Sequence, residues 1–109
     1  MEKVIKYDKL IRDRIPEIIE ADGKRAVTEV LDDLAFKRYL DIKLEEELKE
    51  YLVADSVEEL ADLVEVVYAL LDLKGVSIEE FERLRKDKAS KRGSFTKRLV
   101  LKEVISKEK

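Results

Sequence analysis

The sequence predicts an all-α protein: a helical bundle of about four helices with an antiparallel hairpin at its centre. Three observations lead to this prediction. Apolar residues recur every three or four positions along most of the chain, which is the spacing of a helix face. Serine or aspartate precedes each of these runs, where helices are capped. Each of the three glycines follows one of them, where helices end. The sequence is also compatible with short strands at the two ends of the chain.

The first helix is predicted to begin near Asp13 and to end before Gly23. Asp13 suits the N-cap position, and Pro16 then falls in the first turn, where a helix tolerates the missing N–H of proline. Its apolar stripe consists of Ile15, Ile18 and Ile19. The segment that follows, residues 25–31, suits either a short strand or an extended connector.

The second helix is predicted to begin at Asp32 or Asp33 and to reach a tight connection at Ala54 and Asp55. The helical spacing of its apolar residues supports this length. These residues are Leu40, Leu44, Leu48, Tyr51 and Leu52.

The third helix opens on a capping-box pattern formed by Ser56 and Glu59 and runs to about Lys74, before Gly75. At about 100° per residue it carries a broad apolar arc and a second, narrower apolar stripe. A helix that is apolar on most sides is normally buried, and a second stripe on a small domain indicates a partner subunit. The broad arc consists of Val57, Leu60, Ala61, Val64, Val67, Tyr68 and Leu71, and the second stripe of Leu63, Val66 and Leu70.

Ser77 and Glu80 repeat the capping-box pattern for a fourth helix, which is predicted to end near Gly93. In the remaining tail, residues 99–104 suit a short strand. This strand could pair with residues 4–7 at the other end of the chain.

Composition restricts the possible chemistry. The length of 109 residues fits a single domain over residues 1–109. The chain has no cysteine and no histidine, which excludes disulfides, zinc sites built from these residues and an imidazole base. Catalysis would have to use carboxylates, Lys, Arg, Tyr, Ser or Thr. Any metal would be a hard cation held by oxygen ligands.

Charge and hydropathy narrow the setting. Charged residues make up 45% of the chain, with no Asn, no Gln and one Met, as in proteins of thermophiles. The net charge of −3 argues against broad nucleic-acid binding. No signal peptide is visible, and no apolar run approaches the ~18 residues of a membrane span. We therefore expect a soluble cytoplasmic protein that binds neither membrane nor nucleic acid.

Two acidic pairs stand on the helices of the predicted hairpin: Glu47 with Glu50, and Glu59 with Asp62. Each pair has i,i+3 spacing, so its side chains share one helix face. Facing carboxylates are costly unless a hard cation neutralises them, and Mg²⁺, or Mn²⁺, is the natural candidate. A solvated surface is the alternative for any single glutamate, and Glu59 also has the competing capping role. The predicted position of Asp62 between two apolar surfaces favours the metal site.

Three blocks resemble a known family. Residues 46–50 (EELKE) followed by 58–62 (EELAD) resemble the EExxE…ExxD signature of the MazG-like all-α NTP pyrophosphatase superfamily. Residues 7–16 (YDKLIRDRIP) resemble the KLVRDKIP block of a small house-cleaning branch that is related to phosphoribosyl-ATP pyrophosphohydrolases. Residues 91–95 (KRGSF) resemble its KRGGF block, with Ser94 in place of the second glycine. In order, the three blocks span nearly the whole chain.

The resemblance implies a homodimer or homotetramer that hydrolyses a nucleoside triphosphate to the monophosphate and pyrophosphate with Mg²⁺. It implies a catalytic role for Glu46, Glu47 and Glu50, without identifying the general base. The implied metal ligands are Glu47, Glu50, Glu59 and Asp62. Only eight residues separate Glu50 from Glu59, fewer than in many members, which implies a tight hairpin.

Basic residues near both ends of the chain are candidates for binding the phosphates of the substrate, because the departing pyrophosphate needs cations. They are Lys9, Arg12, Lys91 and Arg92. The alternative for such residues near a helix C-terminus is a favourable interaction with the helix dipole.

Two other functions stay open. Hydrolysis of phosphoribosyl-ATP uses the same chemistry on a different substrate. A non-catalytic helical interaction protein would carry the same acids as a solvated surface. A metal site should be stabilised by its ion, so a rise in melting temperature with Mg²⁺ separates this second alternative from an enzyme.

Overall fold

The computed structural model describes residues 1–107 and contains four α-helices. They are α1 (Ile15–Ala21), α2 (Asp33–Ala54), α3 (Val57–Leu73) and α4 (Ile78–Arg92). The all-α prediction is confirmed, and no helix within the described range is both long and apolar enough to cross a membrane.

The short strands that the sequence left open are not formed within residues 1–107. Residues 4–7, 25–31 and 99–104 have non-helical backbone without strand pairing. A high strand propensity is realised only where backbone groups pair with a neighbouring strand and side chains gain burial. Here Val4 and Leu99 are mostly exposed, so their side chains gain no burial that would stabilise paired strands.

Helix α1 begins at Ile15 with Pro16 in its first turn, as the sequence predicts, but Asp13 is not its N-cap. Arg14 holds that position, and no side chain caps the helix. The N–H of Ile15 instead donates to the carbonyl oxygen of Arg12 at 3.1 Å. Because Pro16 has no N–H, this turn leaves fewer donors for a cap to satisfy.

Helices α2 and α3 pack against each other as an antiparallel hairpin inside a compact unit, Met1–Val76. Asp32 caps α2 by accepting a hydrogen bond from the N–H of Ala35 at 2.8 Å, which confirms the predicted start. Asp55 ends α2 in the left-handed conformation, with φ 52°. The connection is therefore Asp55 and Ser56, one residue later than predicted. A reversal this short places α3 directly beside α2.

The interior of the hairpin is small. Among the described residues, Leu40 and Val66 are the buried apolar side chains, and Glu47 is the buried charged one. Val66 is the centre of the narrower stripe of α3, and the other two members of the stripe, Leu63 and Leu70, are half-buried. Val57 and Val64, from the broad arc, stay exposed. The part of the broad arc within residues 57–64 is thus the free face of α3 in a single chain, whereas Val67, Tyr68 and Leu71 are half-buried.

A second compact unit begins at Ser77. Ser77 Oγ accepts a hydrogen bond from the N–H of Glu80 at 3.1 Å, which confirms the predicted start of α4. Gly93 ends the helix at φ 84°, a conformation that glycine adopts without strain. The assignment of one domain to residues 1–109 stays a prediction, and its last two residues lie outside the described range.

Candidate metal centre

The middle of α2 places a carboxylate in the interior of the hairpin. Glu47 is only 5% exposed. Its Oε1 lies 3.3 Å from Lys43 Nζ, whereas its Oε2 is buried and has no hydrogen-bond partner. An ionised oxygen removed from water without a partner costs several kcal/mol. A proton on Glu47, or a second cation beside its Oε2, would therefore stabilise this side chain.

The first two turns of α3 bring two more carboxylates to this point. One oxygen from each of Glu47, Glu59 and Asp62 lies within 4.8 Å of the other two. The Oε2 of Glu59 is likewise buried without a hydrogen-bond partner. Ser56 precedes α3 as predicted, but its side chain makes no capping hydrogen bond. Glu59 thus contributes to the carboxylate group rather than to a complete capping box.

A second group lies on α2 alone and shares Glu47. Oxygens of Glu46, Glu47 and Glu50 also lie within 4.8 Å of one another. The four predicted metal ligands therefore divide between two groups. Glu50 joins Glu46 and Glu47 on one helix, while Glu59 and Asp62 join Glu47 across the hairpin. We call the two groups together the acidic cluster.

The donor set of the acidic cluster fits a hard divalent cation. All of its donors are carboxylate oxygens, which Mg²⁺ and Mn²⁺ prefer. Two oxygens bound to one Mg²⁺ at about 2.1 Å lie at most about 4.2 Å apart. The 4.8 Å limit is close to that reach, so small side-chain movements would suffice. The two orphaned oxygens supply the independent reason to expect a cation.

Two of the four predicted substrate-binding residues lie at the acidic cluster. Arg12 Nη2 donates a hydrogen bond to Asp62 Oδ1 at 2.6 Å. Lys9 Nζ donates to Glu46 Oε1 at 3.2 Å. The backbone before them is held to α2 by Tyr39, whose hydroxyl donates to Asp8 Oδ1 at 3.2 Å. The N-terminal block thus reaches the acids that lie 37 and 50 residues further along the chain.

The other two predicted substrate-binding residues, Lys91 and Arg92, lie in the last turn of α4 in the second unit. Lys91 Nζ lies 3.1 Å from Asp87 Oδ2. Both positions favour the dipole of α4. Their contact with substrate stays a prediction.

Lys43 belongs to the site, although the sequence reasoning missed it. Its Nζ lies 3.5 Å from Glu46 Oε1 and 3.3 Å from Glu47 Oε1, and its side chain is mostly buried. The signal was available, because Lys43 precedes these two acids by three and four positions. Lys43 compensates one oxygen of Glu47 and leaves the other uncompensated.

Adjacent glutamates of α2 have opposite electrostatic environments. Burial raises the pKa of Glu47 and the nearby charge of Glu50 adds to this, while Lys43 opposes it. Burial would also raise the pKa of Glu46, but hydrogen bonds and charges from Lys9 and Lys43 outweigh it and hold that pKa below its ordinary value. Neighbouring carboxyl groups with divergent pKa values are typical of acid–base sites.

Comparisons with known proteins give limited information about this chain. No protein-family profile matches it. Over 47 residues it is 47% identical to an uncharacterized protein of Mycolicibacterium smegmatis. The matched segment covers 43% of this chain and 48% of that protein, so the chain spans about half the length of this relative. No solved structure matches the chain.

Proposed function

We propose that this protein is a Mg²⁺-dependent nucleotide pyrophosphohydrolase of the MazG-like kind, which converts a nucleoside triphosphate to the monophosphate and pyrophosphate. One observation carries the proposal. The buried Glu47 has an oxygen without a partner and lies beside Glu59 and Asp62 on the facing helix. A divalent cation would offset most of the charge of these three carboxylates, and a metal held there would be suited to phosphate chemistry.

The acidic cluster offers enough oxygens for one or two ions. Glu47, Glu59 and Asp62 would hold one ion, and Glu46, Glu47 and Glu50 could hold a second. When bound, Mg²⁺ (or Mn²⁺) neutralises phosphate oxygens and makes water more acidic. The remaining chemistry falls to side chains of this protein.

In the proposed reaction, the oxygen of a water molecule bonds to the α-phosphorus. The bond from this phosphorus to the bridging oxygen breaks, and pyrophosphate leaves. A carboxylate accepts the proton of the water. Glu46, Glu47 and Glu50 are the candidate acceptors, and Glu46 could instead orient the water. Lys9 and Arg12 lie close enough to the acids to face the departing pyrophosphate.

The test is a panel of canonical and modified nucleoside triphosphates, with phosphoribosyl-ATP included. We expect release of a monophosphate and pyrophosphate from at least one of them with Mg²⁺, and none after chelation with EDTA. Turnover of phosphoribosyl-ATP alone would select that alternative substrate. No turnover across the panel would contradict the proposal.

A thermal scan separates the enzyme from a non-catalytic interaction protein. At Mg²⁺ concentrations a hundredfold above the dissociation constant, binding stabilises the folded state by about 2.7 kcal/mol. We therefore expect the melting temperature to rise with Mg²⁺.

Hydrolysis of surplus or modified nucleotides would be a house-cleaning role in the cytoplasm.

We also propose that a second copy covers the free face of α3, giving a homodimer or homotetramer. Val57, Leu60 and Val64 line this face and are 77%, 40% and 42% exposed. The interior contains little apolar surface, with Leu40 and Val66 as the buried apolar residues among those described. A small core of this kind is commonly supplemented by association.

Sedimentation velocity checks the association. We expect a mass of two or four chains for the unaltered protein and a shift toward one chain for Val64→Glu, because the new charge would be buried at the interface. Val27→Glu is the matched control, since Val27 is an exposed valine of the connector between α1 and α2. A monomer at all concentrations would contradict the proposed association.

A further inference from the structure

We propose that Lys9 and Arg12 are internal counter-ions that metal binding displaces, and that the displaced side chains then bind the phosphates of the nucleotide. This inference rests on the proposed metal site. We call residues 8–12 the strap. The cationic side chains of the strap pair with acids at the edge of the acidic cluster.

The contacts of the strap are made with the acids that a metal would need. Arg12 lies 2.6 Å from Asp62 Oδ1, and Asp62 belongs to the group that spans the hairpin. Lys9 lies 3.2 Å from Glu46 Oε1, and Glu46 belongs to the group on α2. One cation of the strap thus occupies each group. Neither reaches the orphaned oxygens of Glu47 and Glu59, so the neutralisation is incomplete.

The strap is built to exchange partners. Residues 8–12 form neither helix nor strand. The side chains of Lys9 and Arg12 are 44% and 56% exposed, and ion pairs that solvent reaches contribute little stability. The strap is anchored at one end by the hydrogen bond between Tyr39 and Asp8 and continues into α1 at the other. Its charged side chains can therefore leave the acids without loss of the surrounding fold.

Metal binding and the contact between Arg12 and Asp62 oppose each other. A guanidinium group at this distance repels a divalent cation that binds the same carboxylate. The ion also offers the acids a stronger, multidentate partner. Once released, the guanidinium group of Arg12 and the ammonium group of Lys9 would stay near the acidic cluster and would be available to bind phosphate.

The first experiment is a Mn²⁺ titration followed by electron paramagnetic resonance of the free ion. Arg12→Ala should bind Mn²⁺ about two- to fivefold more tightly than the unaltered protein, the range that an exposed ion pair allows. Arg14→Ala is the matched control. It removes the same charge two positions away, from a side chain that pairs with Glu17 at 3.5 Å, and its affinity should not change.

The second experiment repeats the comparison with α,β-methylene-ATP in the presence of saturating Mn²⁺. Arg12→Ala should now bind this analogue about tenfold more weakly, because a charged hydrogen bond to phosphate is lost. The substitution thus changes sign between the two ligands. An arginine that only orients Asp62 would weaken both.

The outcomes are distinguishable. Equal or weaker Mn²⁺ binding by Arg12→Ala, with normal binding by the unaltered protein, overturns the exchange and leaves the metal site intact. Unchanged binding of the analogue overturns the phosphate contact. Failure of the unaltered protein to bind Mn²⁺ overturns the metal site and this inference together.

Discussion

Glu47→Gln is expected to lower the rate of nucleotide hydrolysis at saturating Mg²⁺ by at least about a hundredfold, in line with the loss of a metal-site group. The substitution keeps the shape of the side chain and removes its charge. Glu47 is common to both carboxylate groups, so no other single residue affects as much of the acidic cluster. Initial rates of monophosphate and pyrophosphate release measure the effect.

Glu45→Gln is the matched control for this experiment. Glu45 lies on the same helix, is exposed, and pairs with Lys49 at 3.2 Å outside the acidic cluster. Its rate should stay within about twofold of the unaltered protein, as for an ordinary surface substitution. Asp62→Asn should resemble Glu47→Gln, because it removes a proposed ligand from the facing helix. Full activity of the Glu47→Gln variant would rule out the proposed role of Glu47.

Glu47→Gln should also stabilise the metal-free protein. At pH 7 we expect Glu47→Gln to raise the free energy of unfolding by about 1 kcal/mol, because it removes a buried charge whose second oxygen has no partner. Lys43 keeps its contact with Glu46. Denaturant unfolding in the presence of EDTA measures this, and an equal or lower stability would contradict the burial argument.

The sign follows from the pKa of Glu47, which burial raises in the folded state. A carboxyl group with a raised pKa binds its proton more tightly when folded. Its contribution to stability is full below its unfolded pKa, near 4.5, and is lost as the pH rises through the folded pKa. The advantage of Glu47→Gln should therefore shrink as the pH falls from 7 toward 4.5.

Glu46→Gln supplies the control of opposite sign. The pKa of Glu46 is lowered, since hydrogen bonds and charges from Lys9 and Lys43 outweigh its burial. Its stabilising contribution is present above pH 4.5 and is lost as the pH falls through the lowered pKa. Glu46→Gln should thus destabilise the metal-free protein at pH 7.

With Mg²⁺ added, the unaltered protein should gain stability, and the Glu47→Gln variant should gain much less.

Sequence reasoning was most accurate where structure depends on neighbours along the chain. The starts of α2 at Asp32 and of α4 at Ser77 follow from capping chemistry within four residues. It was wrong about Asp13, because a backbone turn and Pro16 remove the need for a cap. The complete capping box at Ser56 also fails, since its glutamate lies among the facing acids.

The grouping of the acidic residues was predicted in part. The pairs Glu47/Glu50 and Glu59/Asp62 were identified from their spacing, but spacing on one helix cannot show which acids meet across a hairpin. The structure places Glu50 with Glu46 rather than with Glu59 and Asp62. Lys9 and Arg12 were predicted as phosphate ligands, whereas their present partners are acids of the cluster.

The sequence by itself determined the all-α class and the ends of the helices before Gly75 and Gly93. Because it contains no cysteine and no histidine, it also restricts any metal site to oxygen ligands. These properties depend on local backbone preferences and on composition. Only the tertiary structure decided that Glu47 is the buried acid, that Val66 lies inside while Val64 lies outside, and that Arg12 reaches Asp62. Burial and distances between distant residues depend on how α2 and α3 are rotated against each other, which no local pattern specifies.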